Sequence, residues 1–394
     1  MTMEIDKKPV PEYLENERDN NTPVELQQFF LDFQEFWERR LWHQLTNSLD
    51  DFFKNPLSVP QRLSLFQNFV MQFADKINKL KLVEFGLAAS QQCKDSQGNP
   101  DFKAALEFLE KLSEKVDEYE SRDAYVYAIT EVARIKLCLE PQDLDGARKA
   151  LDTAQKILDG FDSVESIVHA SFYRVNSDYY STQREFFNYY KNALLYLACV
   201  QTTDLPLDKQ QELAYNLSVA ALLSEKIYNF GELLLHPILD SLKDTEYTWL
   251  RDLLFAFNAG DLSKFVGLQS HFHDQPLFKA KEAFLRQKLC MSALTEAVFK
   301  RPPHDRALTF DTITSETGVG LDEVEYLLMK ALSLGLIRGS IDQIAGIARI
   351  SWVQPKVLDK NQIENMRLRL TEWDASVGKL SNFMDERLKE GVTV

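Results

Sequence analysis

Two histidines and two glycines are the residues of this sequence whose spacing could support chemistry. His271 and His273 form a His-x-His pair, an arrangement that can supply two nitrogen ligands to zinc. In the zinc isopeptidases that use such a pair, a serine and an aspartate complete the site, and here those positions hold Lys281 and Phe284. The pair therefore lacks its remaining partners, and we expect no metal at this position.

The glycine motif is also incomplete. Gly318 and Gly320 begin a G-x-G-x-x-G pattern, but Glu323 occupies the third glycine position and no strand precedes the motif in a βαβ unit. With 14 glycines in 394 residues, the chain has little material for phosphate-binding loops. The sequence therefore predicts a protein without catalytic residues, cofactor or metal.

Composition predicts a soluble protein that functions inside the cell. The net charge of −15 disfavours nucleic acid and anionic membrane surfaces as partners. The four cysteines lie far apart without a C-x-x-C pair, which is typical of reduced thiols. The polar N-terminus lacks a signal sequence, and no apolar run approaches membrane-spanning length. We expect localisation in the cytoplasm and nucleus.

An internal repeat predicts stacked pairs of helices. Similar segments start at Asp101, Asp143 and Glu185, which gives the same spacing of 42 residues twice. Because one helix pair of this length cannot bury its own apolar face, successive pairs stack into an α-solenoid. We predict this helical-repeat array over residues 22–300. Residues 1–21 combine mixed charge with little apolar periodicity, so we expect them to be disordered.

The segment 301–358 is predicted to fold as a winged helix, packed with the last helices of the array. Asp322 opens a helix whose apolar residues follow a spacing of three and four up to Gly335. The apolar period then changes to two, from Ile337 and again from Ile350, as in two strands joined by a loop. A helix-turn-helix followed by a β-ribbon defines the winged helix.

The charge of this winged helix favours protein over nucleic acid as its partner. The helix that would enter a DNA groove carries Asp322, Glu323 and Glu325 against Lys330 alone. Phosphate contacts need lysine and arginine, so this face would repel the nucleic-acid backbone. An adaptor that binds RNA or DNA would need a basic face at this position.

The wing is a candidate interface. The outer strand of a β-ribbon leaves backbone N–H and C=O groups unpaired, so polar residues there fit either a solvated edge or an edge that extends a neighbour's sheet. The two arginines of the wing could alternatively pair with carboxylates of a neighbouring subunit. The predicted interface residues of the wing edge are Arg338, Ser340, Asp342, Arg349 and Ser351.

The last predicted segment, 359–394, contains a helix with a strict heptad pattern. Its apolar residues are spaced alternately three and four apart, which forms the narrow a/d seam of a coiled coil, and the surface between them is polar. The seam either folds back on the solenoid or enters a helical bundle with other chains, where Trp373 would be the largest anchor. The predicted interface residues of this helix are Ile363, Met366, Leu370, Trp373, Val377, Leu380 and Met384.

Helical repeats joined to a winged helix resemble the PCI module, which is shared by the proteasome lid, the COP9 signalosome and a translation initiation factor. Within that module the chain resembles the non-ATPase subunit 9 family of the proteasome regulatory-particle lid. The resemblance extends from the aromatic helix near Phe29 to the last helix. The segments that carry it are 213–218, 227–234, 284–288, 335–343 and 350–355.

This resemblance implies a non-catalytic scaffold subunit of a hetero-oligomer that supports lid assembly and ubiquitin-dependent protein degradation. In that family, winged helices lie side by side, and C-terminal helices gather in a bundle. Subunit 5 would be the neighbour, with the deubiquitinase pair and a ubiquitin receptor nearby. A PCI subunit of the COP9 signalosome or of a translation initiation factor would have the same architecture, and co-purifying partners would distinguish these possibilities.

Overall fold

The computed structural model is mainly α-helical and contains one small β-sheet. It consists of two compact units, Met1–Asp204 and Leu205–Val394, and each is described here by itself. The described residues are 10–20, 23–93, 101–116, 121–139, 142–160, 164–243, 245–301, 305–355 and 360–392.

The first unit consists of helices joined by short connections. Its α-helices are α1 (Val10–Asn20), α2 (Gln27–Glu38), α3 (Trp42–Lys54), α4 (Arg62–Asn68), α5 (Lys79–Ser90), α6 (Phe102–Lys115), α7 (Arg122–Cys138), α8 (Leu144–Leu158), α9 (Ser166–Gln183) and α10 (Phe186–Cys199). Short 3-10 helices lie at Val24–Leu26, Pro56–Gln61, Val70–Gln72 and Thr202–Asp204.

The repeated acidic residues mark the starts of helices. The Asp101 carboxylate accepts hydrogen bonds from the backbone N–H groups of Lys103 and Ala104 at the start of α6, at 3.1 and 3.2 Å. Asp143 accepts the backbone N–H of Gly146 in the same way at the start of α8. Such caps satisfy N–H groups that have no partner inside the helix. Glu185 lies at the N-cap position of α10, although its side chain makes no capping hydrogen bond. The helices that begin after these three residues confirm the predicted helical repeat.

The expectation of disorder over residues 1–21 is wrong for residues 10–20, which form α1. Val10 and Leu14 are buried and belong to the same apolar cluster as Leu26 and Phe30. Two apolar positions are too few to show as helical periodicity, so the helix is stabilised by burial rather than by a signal of its own. Residues 1–9 and 21 lie outside the described residues.

Aromatic rings fill the core at the start of the first unit. The ring of Phe33 is fully buried and lies 5.7 Å from the rings of Phe30 and Phe52 and 5.9 Å from that of Phe69. The contacts with Phe30 and Phe52 are edge-to-face, a favourable geometry for aromatic pairs. This aromatic cluster is core packing between α2, α3 and the C-terminal end of α4.

The second unit begins with helices and ends in a winged helix and a long helix. Its elements are α11 (Leu207–Leu223), α12 (Gly231–Leu235), α13 (Thr248–Ala259), α14 (Leu262–Leu268), α15 (Pro276–Ala280), α16 (Glu282–Lys300), β1 (Ala307–Thr309), α17 (Phe310–Thr317), α18 (Leu321–Ser333), β2 (Ile337–Asp342), β3 (Ile347–Val353) and α19 (Lys360–Val392). Short 3-10 helices lie at Pro237–Leu242 and Gln269–Asp274.

The winged helix shares its core with α16. Its antiparallel sheet has the strand order β1-β3-β2, and the buried side chains of the strands pack against α18 and α16. Met291, Leu294 and Val298 of α16 belong to this core. A helix predicted inside the array of residues 22–300 therefore also forms part of the winged-helix core.

A β-bulge in the wing depends on a glycine. The pairing of β2 with β3 shifts between Arg338 and Gly339, so Ser351 is the extra residue of β3. A Cβ atom at Gly339 would lie only 2.1 Å from the carbonyl oxygen of Arg349 and 2.9 Å from the Cα atom of Ile350. Because both atoms belong to the backbone, no rotation of a side chain can relieve the contact.

We therefore expect Gly339→Ala to destabilise the wing, by about 1–3 kcal/mol, which is the usual cost of overpacking. The control is Gly320→Ala, because an added Cβ there meets nothing within 4 Å. Denaturant unfolding of both variants measures the difference. Equal unfolding midpoints for the two variants would contradict this account of the bulge.

Candidate protein-interaction surfaces

The heptad seam of α19 is uncovered along its whole length. All seven predicted side chains are exposed, from 45% at Val377 to 67% at Trp373. The described part of the chain therefore does not cover the seam, and the fold-back alternative does not describe this structure. The helix has 33 residues, and Glu364 and Arg367 form an ion pair on its surface. The seam is thus an apolar stripe that the described residues leave open to solvent.

The exposed apolar surface of α19 is wider than the predicted seam. Leu368 and Phe383 are also exposed, although neither occupies an a or d position. The heptad count excludes both residues, since Leu368 lies two positions before Leu370 and Phe383 directly precedes Met384. Two apolar side chains fifteen positions apart are ordinary on a protein surface and do not add a second stripe to the helix.

The wing residues do not all lie on an edge as predicted. Strand β3 lies between β1 and β2, so Arg349 is in the middle of the sheet, opposite Ala307 on one side and Ser340 on the other. Ser351 is the bulged residue of β3, and its hydroxyl donates to the carbonyl oxygen of Arg338 at 3.1 Å. The pairing of β1 with β3 joins residues far apart in sequence, which strand periodicity does not predict.

Only the β2 residues of the predicted set lie on an outer strand. They are Arg338, Ser340 and Asp342, and the carboxylate of Asp342 accepts the backbone N–H of Ala345 in the turn that follows. The guanidinium of Arg338 stacks on the ring of Trp352 at 4.6 Å. Arg338 is therefore held by a neighbour on the next strand and remains exposed.

Three arginines make the wing basic, although the chain as a whole is acidic. Arg306 and Arg349 line a shallow groove of about 560 Å³ together with Ser340 and Ser351. Within the described ranges, neither of them nor Arg338 forms an ion pair, and the Nε atom of Arg306 is buried without a hydrogen-bond partner. We refer to Arg306, Arg338 and Arg349 as the arginine face.

Helix α18 presents the opposite character, a surface that is both acidic and apolar. Its exposed apolar residues, which sequence reasoning missed, are Leu321, Tyr326 and Met329. They lie outside the buried stripe of this helix. Apolar residues that do not follow the spacing of the stripe could have indicated from sequence that this face is exposed. Lys330 donates a hydrogen bond to Gln287 of α16, so its charge turns away from this face. Phosphate contacts are unfavourable here.

The turn of the wing exposes one more apolar side chain. Ile344 follows β2 in the turn before β3 and is fully exposed. This side chain makes no contribution to the core of its own chain, and a single exposed apolar residue does not by itself define a contact surface.

Only one histidine of the His-x-His motif has a described side chain. The ring of His271 stacks on that of Trp249, with ring centres 5.7 Å apart, and the side chain of His273 lies outside the description. Across the described residues, no three His, Cys, Asp or Glu side chains gather as a group able to hold a metal ion. None of the helices in these ranges combines the length and apolar character needed to cross a membrane.

A buried lysine joins α11 to α16. The Lys288 ammonium is fully buried and donates to the carbonyl oxygens of Ala221, Leu222 and Ser224, at 2.7, 3.0 and 2.7 Å. These acceptors lie at the C-terminal end of α11, where carbonyl groups have no partner within the helix and the helix dipole favours a cation. The rings of Tyr228 and Phe230 lie 5.4 and 5.3 Å from the same nitrogen.

Burial lowers the pKa of Lys288 to about 7, and the positive charge of Lys281 acts in the same direction. The unfolded chain, with an ordinary lysine pKa of 10.5, binds more protons than the folded chain between these two values. The contribution of Lys288 to the free energy of unfolding therefore increases as pH rises from about 7 towards 10.5. Below pH 7 the ammonium is charged in both states, and its contribution is constant.

We expect Lys288→Met to lower the free energy of unfolding by about 1–3 kcal/mol, because buried carbonyls lose their donor. The variant should also lack the gain in stability between pH 7 and 10 that the parent chain shows. Denaturant unfolding at several pH values measures both effects, and Lys279→Met, at an exposed position, is the control. Parallel pH profiles for parent and Lys288→Met would show that this lysine does not titrate as described.

The order of helical repeats, winged helix and C-terminal helix defines a PCI protein. The model of the PCI domain matches residues 264–352, which contain α16 and the winged helix. Two further family models match on either side, the PSD13 N-terminal repeats over residues 29–254 and the Rpn9 C-terminal helix over residues 356–388.

The chain belongs to the Rpn9 family of 26S proteasome regulatory subunits. It is 44% identical to the probable 26S proteasome regulatory subunit rpn9 of Schizosaccharomyces pombe, over 92% of this chain and 93% of that protein. It is 41% identical to the 26S proteasome regulatory subunit RPN9 of Saccharomyces cerevisiae, with the same coverage of both chains. A partial match, 22% identical over 52% of this chain and 44% of the relative, is subunit M of eukaryotic translation initiation factor 3 from Coccidioides immitis.

Proposed function

We propose that the chain is a non-catalytic scaffold subunit of the 26S proteasome regulatory-particle lid, in the cytoplasm and nucleus. The observation that carries this proposal is the uncovered seam of α19, whose seven apolar residues are exposed in the single chain. Membership of a family of proteasome regulatory subunits supports the choice of complex. The subunit would thereby support lid assembly and ubiquitin-dependent protein degradation.

The seam would act by entering a bundle with helices of other lid subunits. A heptad seam is complementary to other heptad seams, because each apolar side chain fits between four residues of the facing helix. Burying a large apolar side chain contributes roughly 1.5–3 kcal/mol, so seven such residues offset a large part of the cost of association. Trp373, the most exposed of the seven, is the largest side chain available as an anchor.

The winged helix would provide a second contact by complementary charge. One side carries the arginine face, and α18 carries Asp322 and Glu325 beside exposed apolar residues. If winged helices associate side by side, the arginine face of one would contact an acidic face of the next, which is a head-to-tail arrangement. Subunit 5 of the lid is the proposed neighbour, with the deubiquitinase pair and a ubiquitin receptor nearby.

The alternative function is a PCI subunit of a translation initiation factor or of the COP9 signalosome. The partial match to subunit M of initiation factor 3 is the observation that favours it. That match covers about half of each chain, whereas the proteasome relatives match over more than nine tenths. Mass spectrometry of proteins that co-purify with the chain distinguishes these complexes.

We expect Trp373→Ala to prevent incorporation into the lid, since removal of a buried tryptophan costs about 3–5 kcal/mol. Leu368→Ala is a matched control, because Leu368 is exposed on the same helix but lies outside the heptad seam. Affinity purification of tagged variants, followed by quantification of associated lid subunits, measures incorporation.

Both variants should melt at the same temperature as the parent chain when purified alone, because neither side chain is covered in the single chain. If Trp373→Ala instead lowers the melting temperature and the folded variant still assembles, the helix clasps its own chain. Normal incorporation of Trp373→Ala at unchanged stability would also contradict the proposal.

We expect Arg349→Glu to weaken assembly at least about tenfold without unfolding the chain, because charge reversal places like charges against an acidic partner. Arg349 is exposed in the middle of the outer sheet face, so its replacement breaks no ion pair among the described residues. Lys279→Glu, at an exposed position outside the wing, controls for the change in net charge. Equal incorporation of the two variants would exclude the arginine face from the interface.

A further inference from the structure

A polar cavity lies between α8, α9 and α10 in the first unit. It has a volume of about 320 Å³, at the lower end of the range of roughly 300–1,000 Å³ typical of ligand sites. Part of its wall is aromatic, with Phe172, Tyr173 and the ring of His169, which stacks on that of Tyr173. None of the surfaces described above includes this cavity.

An asparagine without a partner lines the cavity. Asn176 of α9 is only 6% exposed, and its carboxamide makes no hydrogen bond within the described part of the chain. Neither polar atom of this carboxamide belongs to the fully buried atoms without a partner, so both reach the space of the cavity and can bond what enters it. A ligand in the cavity would supply the missing partners.

Two further carboxamides of α10 line the cavity with acceptor atoms available. The Nδ2 group of Asn192 donates to the carbonyl oxygen of Asn188 at 2.8 Å, and that of Asn188 donates to Glu185 at 2.6 Å. Each Oδ1 atom therefore remains able to accept a hydrogen bond. Together with Asn176, the cavity offers both donors and acceptors of the amide type.

The charges of the cavity select against an ionic ligand. Lys191 of α10 and Asp159 at the end of α8 both line it, and their opposite charges offset each other. A phosphate or a nucleic acid would need an excess of basic groups. A peptide main chain is neutral, and each of its peptide groups carries one donor and one acceptor, which matches the carboxamides.

We propose that this cavity binds an extended peptide segment of a partner protein. Asn176 bonds a peptide group of that segment, the Oδ1 atoms of Asn188 and Asn192 accept backbone N–H groups, and the aromatic wall holds one apolar side chain. The site does not depend on the proposed function, because it lies in the first unit and uses none of the wing or seam residues.

The test is a selection of a displayed library of random linear peptides on the purified full chain, with a parallel selection on Asn176→Leu. We expect peptides that share an apolar position to be enriched only on the parent chain. Fluorescence polarisation with the synthesised peptides should show at least tenfold weaker binding to Asn176→Leu. Because leucine removes an unpaired carboxamide, the melting temperature of this variant should stay the same or rise.

Two further variants separate the cavity from the rest of the surface. Leu195→Trp enlarges a side chain that lines the cavity from α10, and it should also weaken binding at least tenfold. Asn47→Leu changes an exposed asparagine on α3 and should leave the affinity unchanged. The proposal is overturned if no peptide is enriched on the parent chain over Asn176→Leu, or if all variants bind the enriched peptides equally.

Discussion

The second unit depends on one buried cation, the ammonium of Lys288. Its three carbonyl acceptors end α11, and the same lysine lies on α16, the helix that shares a core with the winged helix. Without this donor, the end of α11 would present buried carbonyl groups to an apolar environment, which is costly. A single side chain therefore links the end of α11 to the helix that shares its core with the winged helix.

Lys288 also explains why a lysine can be fully buried in this fold. Desolvation opposes its charge and lowers its pKa, whereas the carbonyl groups and the rings of Tyr228 and Phe230 favour the charged form. The neutral amine can still donate two hydrogen bonds, so the junction keeps most of its contacts on either side of pH 7. The sequence could not predict this role, because the acceptors are backbone atoms more than sixty positions away.

Local signals were sufficient for much of the fold. The helical repeat was predicted correctly from its spacing, and Asp101 and Asp143 act locally, because a helix cap bonds backbone groups two or three positions away. The strands of the wing were also readable, since alternation is a property of each strand alone. The pairing of β1 with β3 and the burial of α1 depend on distant residues, so they gave no local pattern.

The same distinction applies to the candidate sites. The heptad of α19 is local and could be read from spacing, but its exposure in the single chain could not. Asn176 carried no sequence signal at all, because an unpaired carboxamide is recognisable only when its neighbours are known. For α19, residue spacing predicts the position of the seam but not what covers it. A helix that leaves its apolar seam in water gains little from packing in the free chain, and most helical stability comes from packing. A partner that covered the seam, as proposed, would therefore also order the helix, and the cost of that ordering would reduce the affinity gained from burial.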